Sequence, residues 1–111
     1  MAQVEKLLTI LPNGKKMVAV DVTALVLTSG KATVTVGAVN QIDTVIGTVP
    51  APELAADYVL SYAFSTVAEG LAPNQIQVEV QKQQLSAGNT WGAAETADIS
   101  DSVIRIVVVG N

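Results

Sequence analysis

The sequence contains no cysteine and no histidine. Their absence removes disulfide frameworks, Cys or Cys/His zinc sites, thiol nucleophiles and every mechanism that needs an imidazole base. Aromatic residues are scarce, with one Phe, two Tyr and one Trp. That is too few for the aromatic-lined cleft of a glycosidase, and it leaves Val, Ala and Leu to build the core. Charge is thin as well: 14% of residues are charged, against about 25% in an average soluble domain. Six Lys and Arg stand against ten Asp and Glu for a net charge of −4, and the largest basic cluster is Lys15-Lys16. So little positive charge cannot neutralise a phosphate backbone, and nucleic acid is not an expected partner. No run approaches the roughly twenty apolar residues of a membrane span, and Met1 to Lys6 shows no basic region leading into an apolar segment, so neither a membrane nor a secretory signal is expected. Gly14, Gly30 and Gly47 lack phosphate-loop spacing. The chain is expected to have no catalytic residues, no cofactor and no small-molecule substrate.

Apolar residues, by contrast, make up 50% of the chain, and its mean hydropathy is +0.44. A chain of 111 residues forms one domain, residues 1–111, and buries roughly 65% of its extended surface, enough for a core without staples. So much apolar material with so little charge predicts a surface that meets other protein.

The apolar residues follow a two-residue period, which is that of a strand. In Val103 to Val109 six of seven residues are Val or Ile, whose branched Cβ suits a pleated surface. Ile104, Ile106 and Val108 share one face; Val103, Arg105, Val107 and Val109 share the other. A strand apolar on both faces sits between two covered faces or shows one to another chain. Gln75 to Lys82 alternates cleanly, with Ile76, Val78 and Val80 inward. Lys16 to Leu27 reads as one strand with Val18, Val20, Val22, Ala24 and Val26 on a single face. Pro12-Asn13-Gly14-Lys15 and Thr28-Ser29-Gly30-Lys31 are turns. Ala32 to Val36 and Ile42 to Val49 are further strands, the second stopped by Pro50-Ala51-Pro52. Residues 53–69 admit two readings. Leu54, Tyr58 and Tyr62 recur at helical spacing before Gly70, whereas Tyr58, Leu60, Tyr62 and Phe64 alternate; the alternation favours a strand from Tyr58 to Val67, with Glu53 to Ala56 as a turn or short helix. Ser86 to Ser102 has no strong period and reads as a long loop. About seven short strands with frequent turns predict an all-β fold, a single antiparallel β-sandwich of jelly-roll or immunoglobulin-like type. Residues 1–11 fit either the edge strand of a hairpin or an N-terminal arm that pairs with a neighbouring subunit.

Several phrases, among them Thr28-Ser29-Gly30-Lys31-Ala32-Thr33-Val34-Thr35-Val36, Ile42-Asp43-Thr44-Val45, Asn74 to Lys82, Trp91-Gly92-Ala93-Ala94 and Ile104 to Gly110, give the chain a resemblance to small β-rich structural virion proteins of tailed bacteriophages, the head decoration or cement proteins among them. The likeness spans about residues 17 to 110 and is one of rhythm and short phrases. It implies a compact sandwich installed in many copies, made in the bacterial host cytoplasm and located in the virion, with the major capsid protein or other virion proteins as partners and self-association into a homo-oligomer. A tail or head-to-tail connector component is the neighbouring possibility. From another class, a sandwich could carry carbohydrate-binding or adhesion function, for which only Trp91, Tyr58 and Tyr62 offer aromatic surface.

Candidate interface residues are Leu7, Leu8, Ile10 and Leu11 of the N-terminal segment, Trp91 as a large anchor, and Val107 and Val109 on the second face of the last strand. Glu95, Asp98 and Asp101 place carboxylates close in sequence, but their spacing matches no calcium loop, and no metal site is expected.

Overall fold

The computed structural model describes residues 2–48, 58–84, 90–99 and 103–111. Eight strands are found among them: β1 (Ala2–Ile10), β2 (Lys16–Thr23), β3 (Lys31–Thr35), β4 (Ile42–Thr48), β5 (Tyr58–Ser65), β6 (Gln75–Gln84), β7 (Gly92–Ala93) and β8 (Val103–Gly110). They form two antiparallel sheets, one ordered β1-β2-β8-β4 and one ordered β3-β6-β5 with β7 also paired to β6. Val18, Val20, Val22, Ile104, Ile106 and Val108 of the first sheet and Val34, Ile76, Val78 and Val80 of the second belong to one buried core, so the molecule is a β-sandwich. Its strand order is not that of an immunoglobulin domain, whose second strand lies beside the fifth. Here β2 lies between β1 and β8, and β8 reaches β4; early and late strands interleave in the Greek-key manner.

The alternation in the sequence sets the inward faces. In β6 the side chains of Ile76, Val78 and Val80 are fully buried, and in β8 so are Ile106 and Val108. Between the two readings of residues 53–69, the strand holds for Tyr58–Ser65, with Leu60, Tyr62 and Phe64 packed on the core. Glu53 to Ala56 lie outside the described residues.

Both turns close as hairpins. Leu11 N–H donates to Lys15 O and Gly14 N–H to Leu11 O, at 2.8 and 2.9 Å, with Gly14 at φ +82°; the left-handed residue completes a three-residue loop. In the second, Thr28 and Lys31 exchange both main-chain hydrogen bonds while Ser29 and Gly30 hold φ of 52° and 77°, the two positive values that a type I′ turn requires.

Two sequence expectations are corrected. The strand expected to run from Lys16 to Leu27 ends at Thr23, because Ala24 takes φ 53°. That single left-handed residue inverts the alternation, so Leu25 and Leu27 are buried while Ala24 and Val26 face out. The reversed run is fastened across the sandwich by Thr96, whose Oγ1 accepts from Leu27 N–H at 2.9 Å and donates to Leu27 O at 3.3 Å. Second, the stretch read as one long loop from Ser86 to Ser102 contains β7 and a turn of 3-10 helix, Thr96–Ile99. Of the two readings of residues 1–11, the hairpin edge strand is the one present: β1 pairs with β2 from Ala2↔Thr23 to Ile10↔Lys16, with a bulge between Leu7 and Thr9.

Polar side chains fix β1 further. Among the described residues, the end of β3 and the chain between β3 and β4 meet its inner face. Glu5 accepts from Gly37 N–H at 3.2 Å and Ala38 N–H at 2.9 Å, and Gln3 Nε2 donates to Thr35 O at 2.6 Å. A carboxylate at this point satisfies two main-chain donors that no strand reaches.

Candidate interaction surface

The two outer faces of the sandwich differ in chemistry. On the second sheet the outward positions are Lys31, Thr33 and Thr35 of β3, Val59, Ser61, Ala63 and Ser65 of β5, and Gln75, Gln77, Glu79, Gln81 and Gln83 of β6. This face is polar, with Lys31 and Glu79 paired at 3.8 Å and Gln75 Nε2 donating to Thr35 Oγ1 at 3.1 Å.

Register places a different set on the first sheet. Met17 lies opposite Val109, and Ala19 opposite Val107; on the other side of β8, Val109 meets Thr44 and Val107 meets Ile46. Val4 of β1 is opposite Asp21, and Val103 is opposite Thr23. Val4 and Ile46 are 66% and 51% exposed, and Val107 and Val109 are half-buried only by their neighbours within the sheet. Asp21 and Arg105 form an ion pair in this patch: Arg105 Nε donates to Asp21 Oδ1 at 2.8 Å and its second nitrogen donates to Oδ2 at 3.2 Å. The bidentate hydrogen bond from Arg105, with its positive charge, holds the Asp21 carboxyl below its ordinary value. The pair neutralises its own charge; Lys6, opposite Ala19, and Thr23 and Thr44 share the face with the apolar residues.

Beside this face stands the β1–β2 hairpin. Leu7, Leu8 and Ile10 are 50%, 47% and 62% exposed, and Leu11 is half-buried at the turn. The bulge at Leu7/Thr9 makes Leu8 the extra residue of its strand. Lys15 at this end is ion-paired with Asp43. Trp91, 42% exposed, is not part of the cluster. It precedes Gly92, which pairs with Lys82, whereas the hairpin end of the sandwich is where Lys16 meets Gly110 and Ile42 N–H donates to Pro73 O. Trp91 therefore lies at the opposite end.

Of the residues expected at an interface, Leu7, Leu8, Ile10 and Leu11 follow one another along the hairpin, with Leu7 and Ile10 on the side of Val18 and Lys16, and Val107 and Val109 lie on the outer face of the adjoining sheet. Val4, Met17, Ala19 and Ile46 join them although the sequence did not single them out. Ile46 could have been found by pairing Ile42 to Val49 against β8, but only with the register known.

The acidic stretch is engaged within the fold. Asp98 Oδ2 accepts from Glu95 N–H at 2.8 Å and from Lys82 Nζ at 3.0 Å. Burial pushes the Asp98 carboxyl up, and these two donors outweigh it, so the net shift is downward. Asp101 lies outside the described residues. Among the described residues no group of three acidic side chains is arranged to hold a metal ion, and no helix is long and apolar enough to cross a membrane. Tyr62 packs against the core, which removes it as a platform for a sugar ring. Comparison with protein-family models, with curated proteins and with solved structures finds no match to this chain.

Proposed function

We propose that this chain is a structural virion protein, a decoration or cement protein that stabilises a phage head by binding between capsid subunits. The observation that carries the reading is the contrast between the two outer faces: one is polar, and the other presents Met17, Ala19, Ile46, Val107 and Val109 beside the exposed leucines of the β1–β2 hairpin. A lone soluble domain has no use for an apolar sheet face of this kind, and an installed subunit does. The resemblance in phrasing to small virion proteins supports the same assignment.

The mechanism is mass action. A protein that binds the assembled shell and not its dissociated subunits stabilises it by RT ln(1 + [L]/Kd), about 2.7 kcal/mol at a hundredfold excess over Kd. The test is co-sedimentation with purified heads, together with the temperature at which the heads rupture. The wild-type chain is expected to pellet with heads and raise that temperature. Ile46→Lys and Ile10→Lys should lose both effects, and Thr33→Lys on the polar face should keep them. Pelleting with tails and not with heads would move the protein to a tail or connector position. Loss with Thr33→Lys alone would place attachment on the other sheet.

A further inference from the structure

We infer that the β1 edge is a self-recognition site, at which two copies pair antiparallel about a two-fold axis through Val4 and join their first sheets into one. This goes beyond the virion reading and does not depend on it. β1 ends its sheet, so among the described residues one side of its main chain has no partner strand there. Thr23 Oγ1 donates to Ala2 O at 3.4 Å, which puts the Ala2 carbonyl on the β2 side. By the two-residue alternation the Val4 main-chain groups also face β2, and those of Gln3 and Glu5 face the free edge.

Edge strands are protected by lysines and bulges, and in β1 these devices select a register. The bulge at Leu7/Thr9 limits regular pairing to residues before it. Two-fold pairing sets one residue opposite itself. Centring on Lys6 opposes two ammonium groups, centring on Glu5 opposes two carboxylates, and centring on Gln3 sets only residues 2–4 of the described strand opposite one another. Centring on Val4 pairs residues 2–6 with no like charges opposed: Lys6 faces Ala2 of the second copy, and Gln3 faces Glu5. Gln3 Nε2 and Glu5 Oε2 already approach to 3.2 Å within one strand, so amide and carboxylate side chains suit each other across it. The two Gln3–Glu5 pairs would supply about four main-chain hydrogen bonds. Val4, the most exposed residue of β1 among the large apolar ones, then buries its side chain against its own copy, in the close non-hydrogen-bonded type of pair. The apolar outer faces of the two protomers end on the same side of the joined sheet.

Sedimentation equilibrium of the isolated chain tests this. A concentration-dependent dimer is expected, weakened at least about tenfold by Val4→Lys, which opposes two ammonium groups and removes the apolar contact. Ile46→Lys on the far edge strand should leave it unchanged. Because the chain has no cysteine, Val4→Cys provides a second readout: under mild oxidation it should form a disulfide-linked dimer, the close pair lying within disulfide range, and Ile46→Cys should not. A monomer at every concentration up to about 1 mM, or a dimer that survives Val4→Lys and is lost with Ile46→Lys, overturns the inference.

Discussion

Gly30 shows how much a single position can be asked to do. Its φ of 77° suits the type I′ turn, and a Cβ built there would meet Val80 O at 2.8 Å and Ala93 Cβ at 3.0 Å, because its carbonyl accepts from Val80 N–H while β7 closes over the same place. Gly14 has a similar φ and nothing within 4 Å. We expect Gly30→Ala to cost about 2–4 kcal/mol, strain and overpacking together, and Gly14→Ala only about 1 kcal/mol, from strain alone, measured by denaturant unfolding. The turn itself was legible in Thr28-Ser29-Gly30-Lys31. The crowding was not, because it comes from a two-residue strand with no period of its own. Ala24 is a similar case: nothing in an alanine announces a left-handed backbone, yet it inverts the inward face of every residue as far as Leu27. At the same scale, Asp21 and Asp98 have carboxyls held below their ordinary values. A depressed carboxylate contributes stability that is present above its unfolded value, near 4, and is lost as pH falls through the folded one. The denaturation midpoint should stay flat between about pH 5 and 8, where a chain without histidine has no ordinary titration, and fall below about pH 4. Asp21→Asn combined with Asp98→Asn should shrink that acid loss.

Among the elements, β6 and β8 were the most legible, since branched apolar residues at every second position leave one folded solution. Val78→Asp places an unpaired carboxylate at a fully buried site, and the protein should be unfolded or insoluble, while Gln77→Asp on the polar face should remain folded with a near-wild-type melting temperature. β1 was legible as a strand but not in its role. Val4 to Leu11 mixes apolar and polar residues on both faces, so its placement depended on what lay above it, and the residues that meet it belong to the end of β3 and the connection to β4. Glu5 makes that cover specific. Glu5→Ala removes the acceptor for Gly37 and Ala38 N–H and should destabilise by about 1–2 kcal/mol. Deleting residues 1–11 should lower the melting temperature further, because it strips the pairing from β2 as well.

For the whole molecule, composition pointed toward assembly before any strand was placed: a half-apolar chain with few charges has more apolar surface than one core absorbs. The sandwich accounts for where that surplus sits. The second sheet's outer face takes many of the Gln, Thr and Ser residues, and Val4, Ile46 and the hairpin residues Leu7, Leu8 and Ile10 are exposed on or beside the first sheet, while Val26, Val59, Val67 and Trp91 are exposed elsewhere. Which residues share that face could not be read from single segments, since Met17, Val109 and Thr44 are far apart in sequence and meet only through the β2-β8-β4 register. Whether this surface is installed in a virion is decided by quantitative mass spectrometry of phage particles purified from the producing host. The account predicts peptides of this chain in intact particles at a fixed ratio to the major capsid protein, retained through gradient purification and lost when Ile46→Lys and Ile10→Lys are introduced together. Purified particles that contain no such peptides, while the free chain is abundant in the lysate, would contradict it.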